Sequence, residues 1–167
     1  MTPHDLLVVE ADRMLARLVR FCHLGQAHGV APTARLAPDM FDLAEQITIA
    51  ARFPLRGAYP LAGLPLPPDA PEDHTWDGLR RTVERDRRAL AEITPERIVA
   101  PAVTRVRFEA GQTMLDLGVE EFVHRLIVPN MQFHTAMAYA ILRAQGVPLG
   151  KGDFDGLHAY AAGFSFV

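Results

Sequence analysis

Residues 122–148 read FVHRLIVPNMQFHTAMAYAILRAQGVP. This is the longest apolar run of helical spacing in the chain. On a helix, Val123, Ile127, Asn130, His134, Met137 and Ile141 fall on one stripe, and Phe122, Leu126, Phe133 and Ala140 on the next. The pattern predicts the last core helix of a bundle, opening at Gly118 and closing at Gly146 with Pro148 just beyond. Asn130 and His134 interrupt the apolar stripe and lie one turn apart, so they are neighbours. A buried polar group without a partner costs about 1–3 kcal/mol. Another side chain, water, a metal or a ligand must therefore satisfy this pair, which makes it the first candidate for a polar pocket. His124 lies ten residues before His134, about 80° away on a wheel of about 100° per residue. A straight helix does not bring the two to one ion. Pro129 stands between them and frees the carbonyl of Arg125, and a kink or bulge there would change the angle.

Working outward, Thr2-Pro3 reads as an N-cap followed by proline at the first helical position, opening a helix from Pro3 to His28 with Gly29 as its stop. Val30 to Pro38 is a connection. Asp39 is read as the cap of a second helix with Phe41, Leu43, Ile47, Ala50 and Ala51 inward. Pro54 removes a hydrogen bond from its interior, so a bend near Phe53 and an end by Ala62 are expected. Leu64 to His74 is a proline-rich acidic loop. Thr75 caps a third helix whose apolar stripe is Trp76, Leu79, Val83, Leu90 and Ile93. Its other face, with Arg80, Arg81, Glu84, Arg85, Asp86, Arg87 and Arg88, reads as a solvated face with pairs such as Glu84 and Arg88. Thr94-Pro95 starts a short helical turn. In Val103 to Leu117 the period changes to two, with Val106 and Phe108 alternating with Arg105, Arg107 and Glu109, and Ala110-Gly111 supplies a turn. This predicts a β-hairpin that needs the bundle for support. From Gly152 the chain reads as a tail with early Gly and Asp breakers, and Phe164 and Phe166 near its end are placed on the bundle or at an oligomer contact.

The whole chain of 167 residues is read as one domain with a sizeable core. It is 49% apolar and 22% charged, with a net charge of −3. That balance offers no general attraction to nucleic acid or to an anionic membrane. A single cysteine, Cys22, excludes an intrachain disulfide and reads as a buried hydrophobe. The N-terminal MTPHDLLVVEADR has acidic residues where a signal peptide would be basic, and its apolar run is short. A cytoplasmic protein is expected. GVPLGKG (146–152) lacks the spacing and the following Ser or Thr of a phosphate loop, and Asp153, Asp155 and Gly156 lack the later acidic ligand of a calcium loop.

RLAPDMFDLAEQI (35–47) and PNMQFHTAMAYAILRAQGVPLGKGDF (129–154) resemble the two signature stretches of a bacterial family of unknown function, grouped with the DinB/YfiT-like four-helix bundle superfamily. The likeness spans about residues 3–156 and leaves the tail from Leu157 outside. It implies an all-α bundle of up-down-down-up type with a long crossover, here with a short β-hairpin before the last helix, and it implies a homodimer. Many DinB-like proteins hold a divalent metal with three histidines, one on the second helix and two at i,i+4 on the last, and some are metal-dependent thiol transferases. Carried over, those positions fall near Gln46 and at Asn130 and His134. One imidazole with two amides is a weak site for zinc or nickel.

The expectation is therefore a bundle with an internal polar pocket of Gln46, Asn130 and His134, with Asp42 one turn from Gln46. It would be non-catalytic or bind a small molecule, with no nucleic-acid or membrane partner and no cofactor. The alternative is a transferase or hydrolase dependent on Zn or Ni, with His134 as a metal ligand and His124 as the weaker candidate.

Overall fold

In the computed structural model, which describes residues 2–98 and 103–161, Thr2 caps the first helix as expected. Its Oγ1 accepts from the Asp5 N–H at 3.1 Å, and Asp5 Oδ2 accepts from the Thr2 N–H at 2.7 Å. Helix α1 opens at Pro3, passes through a π-helical segment, Asp5–Glu10, and continues as α-helix over Ala11–Ala27. It stops where Gly29 takes a positive φ of 67° and the Val30 N–H turns back to the Gly25 carbonyl at 3.0 Å.

Helix α2 spans Leu43–Leu61 and runs through both Pro54 and Pro60 before its C-cap at Ala62. Its cap is Asp42, not Asp39. The Asp42 carboxylate accepts from the Glu45 N–H at 3.0 Å while the Glu45 carboxylate accepts from the Asp42 N–H at 2.9 Å. This reciprocal pair satisfies two donors that the helix cannot satisfy itself, and Asp39 has no such partner three residues on. The later start leaves Phe41 outside the helix, 52% exposed instead of inward.

Helix α3, Trp76–Ala91, is capped by Thr75, whose hydroxyl accepts from the Gly78 N–H at 3.0 Å. Trp76, Leu79, Val83, Leu90 and Ile93 are all buried, as the stripe predicts. On the charged face Glu84 pairs with Arg87 at 3.1 Å and not with Arg88, because Arg87 also reaches Asp12 on α1 at 2.8 Å. A short helix α4, Pro95–Ile98, follows.

Strands β1, Arg105–Ala110, and β2, Thr113–Gly118, form an antiparallel hairpin. Ala110 faces Thr113 across the two-residue turn. Gly111 has φ of 61° and Gln112 does not have a positive φ. A positive φ at the first central position alone is the requirement of a type II′ turn, which matches the twist of the strands. Val106 is buried and the Phe108 ring lies 5.7 Å from Phe122, so the hairpin rests on the next helix.

That helix, α5, runs through Val119–Glu121, a π-helical segment Phe122–Ile127, and an α-helical body Val128–Ala144. The Val128 N–H donates to the Val123 carbonyl, five residues back. A wide turn of this kind places about one extra residue before the body. The buried stripe keeps Val123, Ile127, His134 and Ile141 of the expected one and takes Met131, Thr135 and Ala138 in place of Asn130 and Met137. Asn130 lies at its half-buried edge. The helix ends at Gly146, φ 84°, with Val147 N–H on the Leu142 carbonyl at 3.0 Å. A short helix α6, Lys151–Asp155, lies where the sequence reads as an irregular tail. Phe164 and Phe166 fall outside the described residues.

Helix α2 packs on both α3 and α5, and α1 packs on the same two, giving a ring in the order α1, α3, α2, α5. Leu15, Leu18 and Phe21, Ile47 and Leu55, Leu79 and Val83, and Phe122 and Ile127 meet inside it. Glycines let the helices approach closely: an added Cβ at Gly25 would come within 2.4 Å of Trp76, and one at Gly57 within 2.8 Å of Ile127 and 2.9 Å of Leu7. The result is a mainly helical bundle with one hairpin before the last long helix. Among the described residues no helix is long and apolar enough to cross a membrane.

Candidate functional site

The facing surfaces of α2 and α5 bring Gln46 and His134 together. Gln46 is 1% and His134 8% exposed, and His134 Nδ1 lies 2.7 Å from Gln46 Oε1. The orientation of the amide follows from its other partner. Gln46 Nε2 donates to the Phe41 carbonyl at 3.4 Å, and a carbonyl only accepts. Oε1 therefore faces the imidazole, Nδ1 must carry the proton, and in the neutral ring Nε2 is left as the acceptor. No described residue takes that nitrogen.

Three phenylalanines frame the ring. Phe53 is stacked on it at 5.7 Å and 17°, Phe41 is tilted at 6.3 Å, and Phe133 meets it edge-on at 5.2 Å. Arg56 covers the Phe53 ring at 5.7 Å. Burial among apolar rings disfavours the imidazolium, and it lowers the His134 pKa from its ordinary 6.5. The site therefore offers a neutral imidazole with one unshared lone pair at a partly open aromatic rim. Phe41 and Phe133 are each 52% exposed.

The other sequence candidates are placed differently. Asn130 does not join the pair, because its Nδ2 donates to the Leu126 carbonyl of its own helix at 2.7 Å. Asp42 is buried but committed to the α2 cap, with Arg35 at 3.4 Å from its second oxygen. His124 is exposed, away from the ring. Cys22 is fully buried, and burial pushes its thiol up to about 12, which makes it unreactive as a nucleophile.

Two groups were not anticipated. The first is the phenylalanine frame. Phe53 lies seven residues after Gln46, on the same helical face, and Phe133 adjoins His134, so both were accessible from spacing. The second is a buried charged clasp. The Arg52 guanidinium donates to the Pro67 carbonyl, and its Nε lies 2.8 Å from Asp69 without its N–H pointing at that oxygen. Asp86, 3.9 Å from Arg52, is held by Arg85 at 2.7 Å, and burial raises its pKa against that attraction. This cluster ties the loop at Pro67 and Asp69 to α2 and α3.

The residues do not fit the three-histidine metal site that the resemblance implies. Of the matched positions only His134 is an imidazole. Gln46 Oε1 faces the protonated Nδ1, and the Asn130 amide is turned to its own backbone. Among the described residues no group of three or more His, Cys, Asp or Glu is arranged to hold a metal ion.

Comparison with known proteins adds the family. The sequence model described as a domain of unknown function, DUF1993, matches residues 4–155. The chain belongs to the DUF1993 family. The matched span contains Asp42, Gln46, Asn130 and His134. Among solved structures, the chain is similar to a DinB family member protein from Shewanella denitrificans, with 27% identity and a TM-score of 0.81. The likeness covers 95% of this chain and 94% of that one. No curated protein matches. The DUF1993 chain thus has a DinB-like backbone, and its histidine, amide and aromatic rings stand where the long helices α2 and α5 face each other.

Proposed function

We propose that this DUF1993 protein is a non-catalytic, small-molecule-binding member of the DinB/YfiT-like superfamily, and that the His134–Gln46 pair is its recognition point. The observation that supports the reading most is the fixed tautomer. Gln46 holds the Nδ1 proton, so Nε2 is an acceptor at a rim of exposed aromatic rings. A planar aromatic molecule carrying one N–H or O–H donor suits such a rim, because rings stack there while the donor finds the imidazole. Asp42 and Asn130 support the walls in this reading and do not contact the ligand.

The same unshared nitrogen is what the alternative, a divalent-metal-dependent transferase or hydrolase, would use. One experiment separates them. Protein purified without a histidine tag is analysed for metal and titrated with indole and phenol while the His134 ring and Gln46 side-chain amide are followed by NMR. The proposal expects shifts at both groups in the wild type and none at position 46 in His134→Gln. Stoichiometric zinc or nickel that disappears in His134→Gln would overturn it, as would probe shifts confined to other parts of the bundle.

A further inference from the structure

Arg17 and Arg20 on α1, Arg143 near the end of α5 and Lys151 on α6 line one cleft of about 1020 Å³. Tyr139 also lines it, five residues after His134. That is about 140° further round the helix at about 100° per residue, so the cleft opens on a different face. It shares no lining residue with the His134 site.

The acids around the cleft are already committed to the protein. Asp153 accepts from Arg20 at 2.7 Å and from the Gly150 N–H at 2.8 Å. Asp155 accepts from the Leu157 and His158 N–H groups, at 2.8 and 3.0 Å, and pairs with the His158 ring. The cations are not so matched. Arg17 makes no hydrogen bond or ion pair with the described residues, and its Nε is buried without a partner. Arg143 makes one long bond, 3.4 Å to the Val147 carbonyl. Lys151 has no partner among the described residues. Among the described residues, three cations with no acidic partner therefore line one cleft in a chain of net charge −3.

The cleft is also shaped around one of them. Gly156 turns the chain back with φ of 74°, and an added Cβ there would lie 2.0 Å from Arg17 Nη2. The guanidinium is seated on a position only glycine permits. Pro148 and Leu149 supply an apolar wall beside it. A half-buried guanidinium with cations on the rim is suited to oxyanions, which guanidinium groups bind through paired charge-assisted hydrogen bonds.

We propose that this cleft binds a small oxyanionic molecule, a phosphate ester or a polycarboxylate, through Arg17, Arg143 and Lys151. Isothermal titration with pyrophosphate and with citrate tests it on the full chain. The variants are Arg17→Gln, Lys151→Gln and the exposed control Arg88→Gln. One site is expected, weakened about tenfold in each of the first two variants, unchanged in the control, and weaker as salt is added. The tighter probe names the ligand class. Lys151 is exposed, so Lys151→Gln carries the test if Arg17→Gln loses its helical circular dichroism. Equal affinity in wild type and Lys151→Gln, or no binding of either probe at about 10 mM, would overturn the proposal.

Discussion

At the scale of the residue, His134 carries the chemistry because two neighbours restrict it in different ways. Gln46 fixes which nitrogen is protonated, and the phenylalanines make the charged form costly. The sign of the resulting pH dependence follows directly. The folded-state pKa lies below the unfolded value of 6.5, so the unfolded chain takes up the proton first as pH falls. Stability from this group is complete above that value and is lost as pH falls from it toward the folded pKa. Melting temperatures of wild type and His134→Gln, compared between about pH 8 and pH 5, are expected to diverge least when acid, with the wild type losing more. Parallel profiles would show that the ring is not held neutral. His134 was legible as a polar interruption of an apolar stripe. Asn130 looked equivalent, because on an ideal helix it is one turn from His134. Both lie in the α-helical body Val128–Ala144 and stay one turn apart; what separates them is the partner each side chain takes, the Leu126 carbonyl for Asn130 and Gln46 of α2 for His134, which no spacing along one helix encodes.

At the scale of the element, the helices were readable where their ends carry chemistry. Gly29 and Gly146 stop α1 and α5 through the same left-handed turn, and Thr2 and Thr75 start α1 and α3. The start of α2 was misplaced because two aspartates compete for it and only Asp42 has a glutamate three residues on. That choice also decides the site, since it leaves Phe41 free to stand over His134. Asp42→Ala removes the cap and is expected to cost about 1 kcal/mol of stability. Urea denaturation measures it, and no change in the midpoint would mean the capping box does not hold α2. The same variant is expected to alter the Gln46 environment, because Phe41, whose carbonyl Gln46 uses, is joined to the cap. Helix α6 was not legible. Its stretch has glycine and aspartate spacing that reads as a breaker, and what orders it is the Arg20–Asp153 contact with a distant helix.

At the scale of the whole molecule, the ring of α1, α3, α2 and α5 was the most legible feature, because amphipathic stripes and two long signature stretches both point to it. The hairpin was legible as a change of period, with its support coming from Phe122. Contacts between distant segments, such as the Arg52 clasp and the cationic cleft, were not, since no local pattern encodes which arginine meets which loop. We carry the homodimer that the family likeness implies as a proposal for the assembled molecule. Sedimentation velocity across a concentration series is expected to show a species of twice the chain mass, and a single species of one chain mass at every concentration would contradict it.

The proposed site turns on the protonation of one ring. Long-range ¹H–¹⁵N correlation of the His134 imidazole near pH 7.5 reads it directly. The structure predicts a neutral ring with the proton on Nδ1 and an unprotonated Nε2. A proton on Nε2, or an imidazolium, would contradict the arrangement of Gln46, Phe41 and His134 on which the proposed site rests.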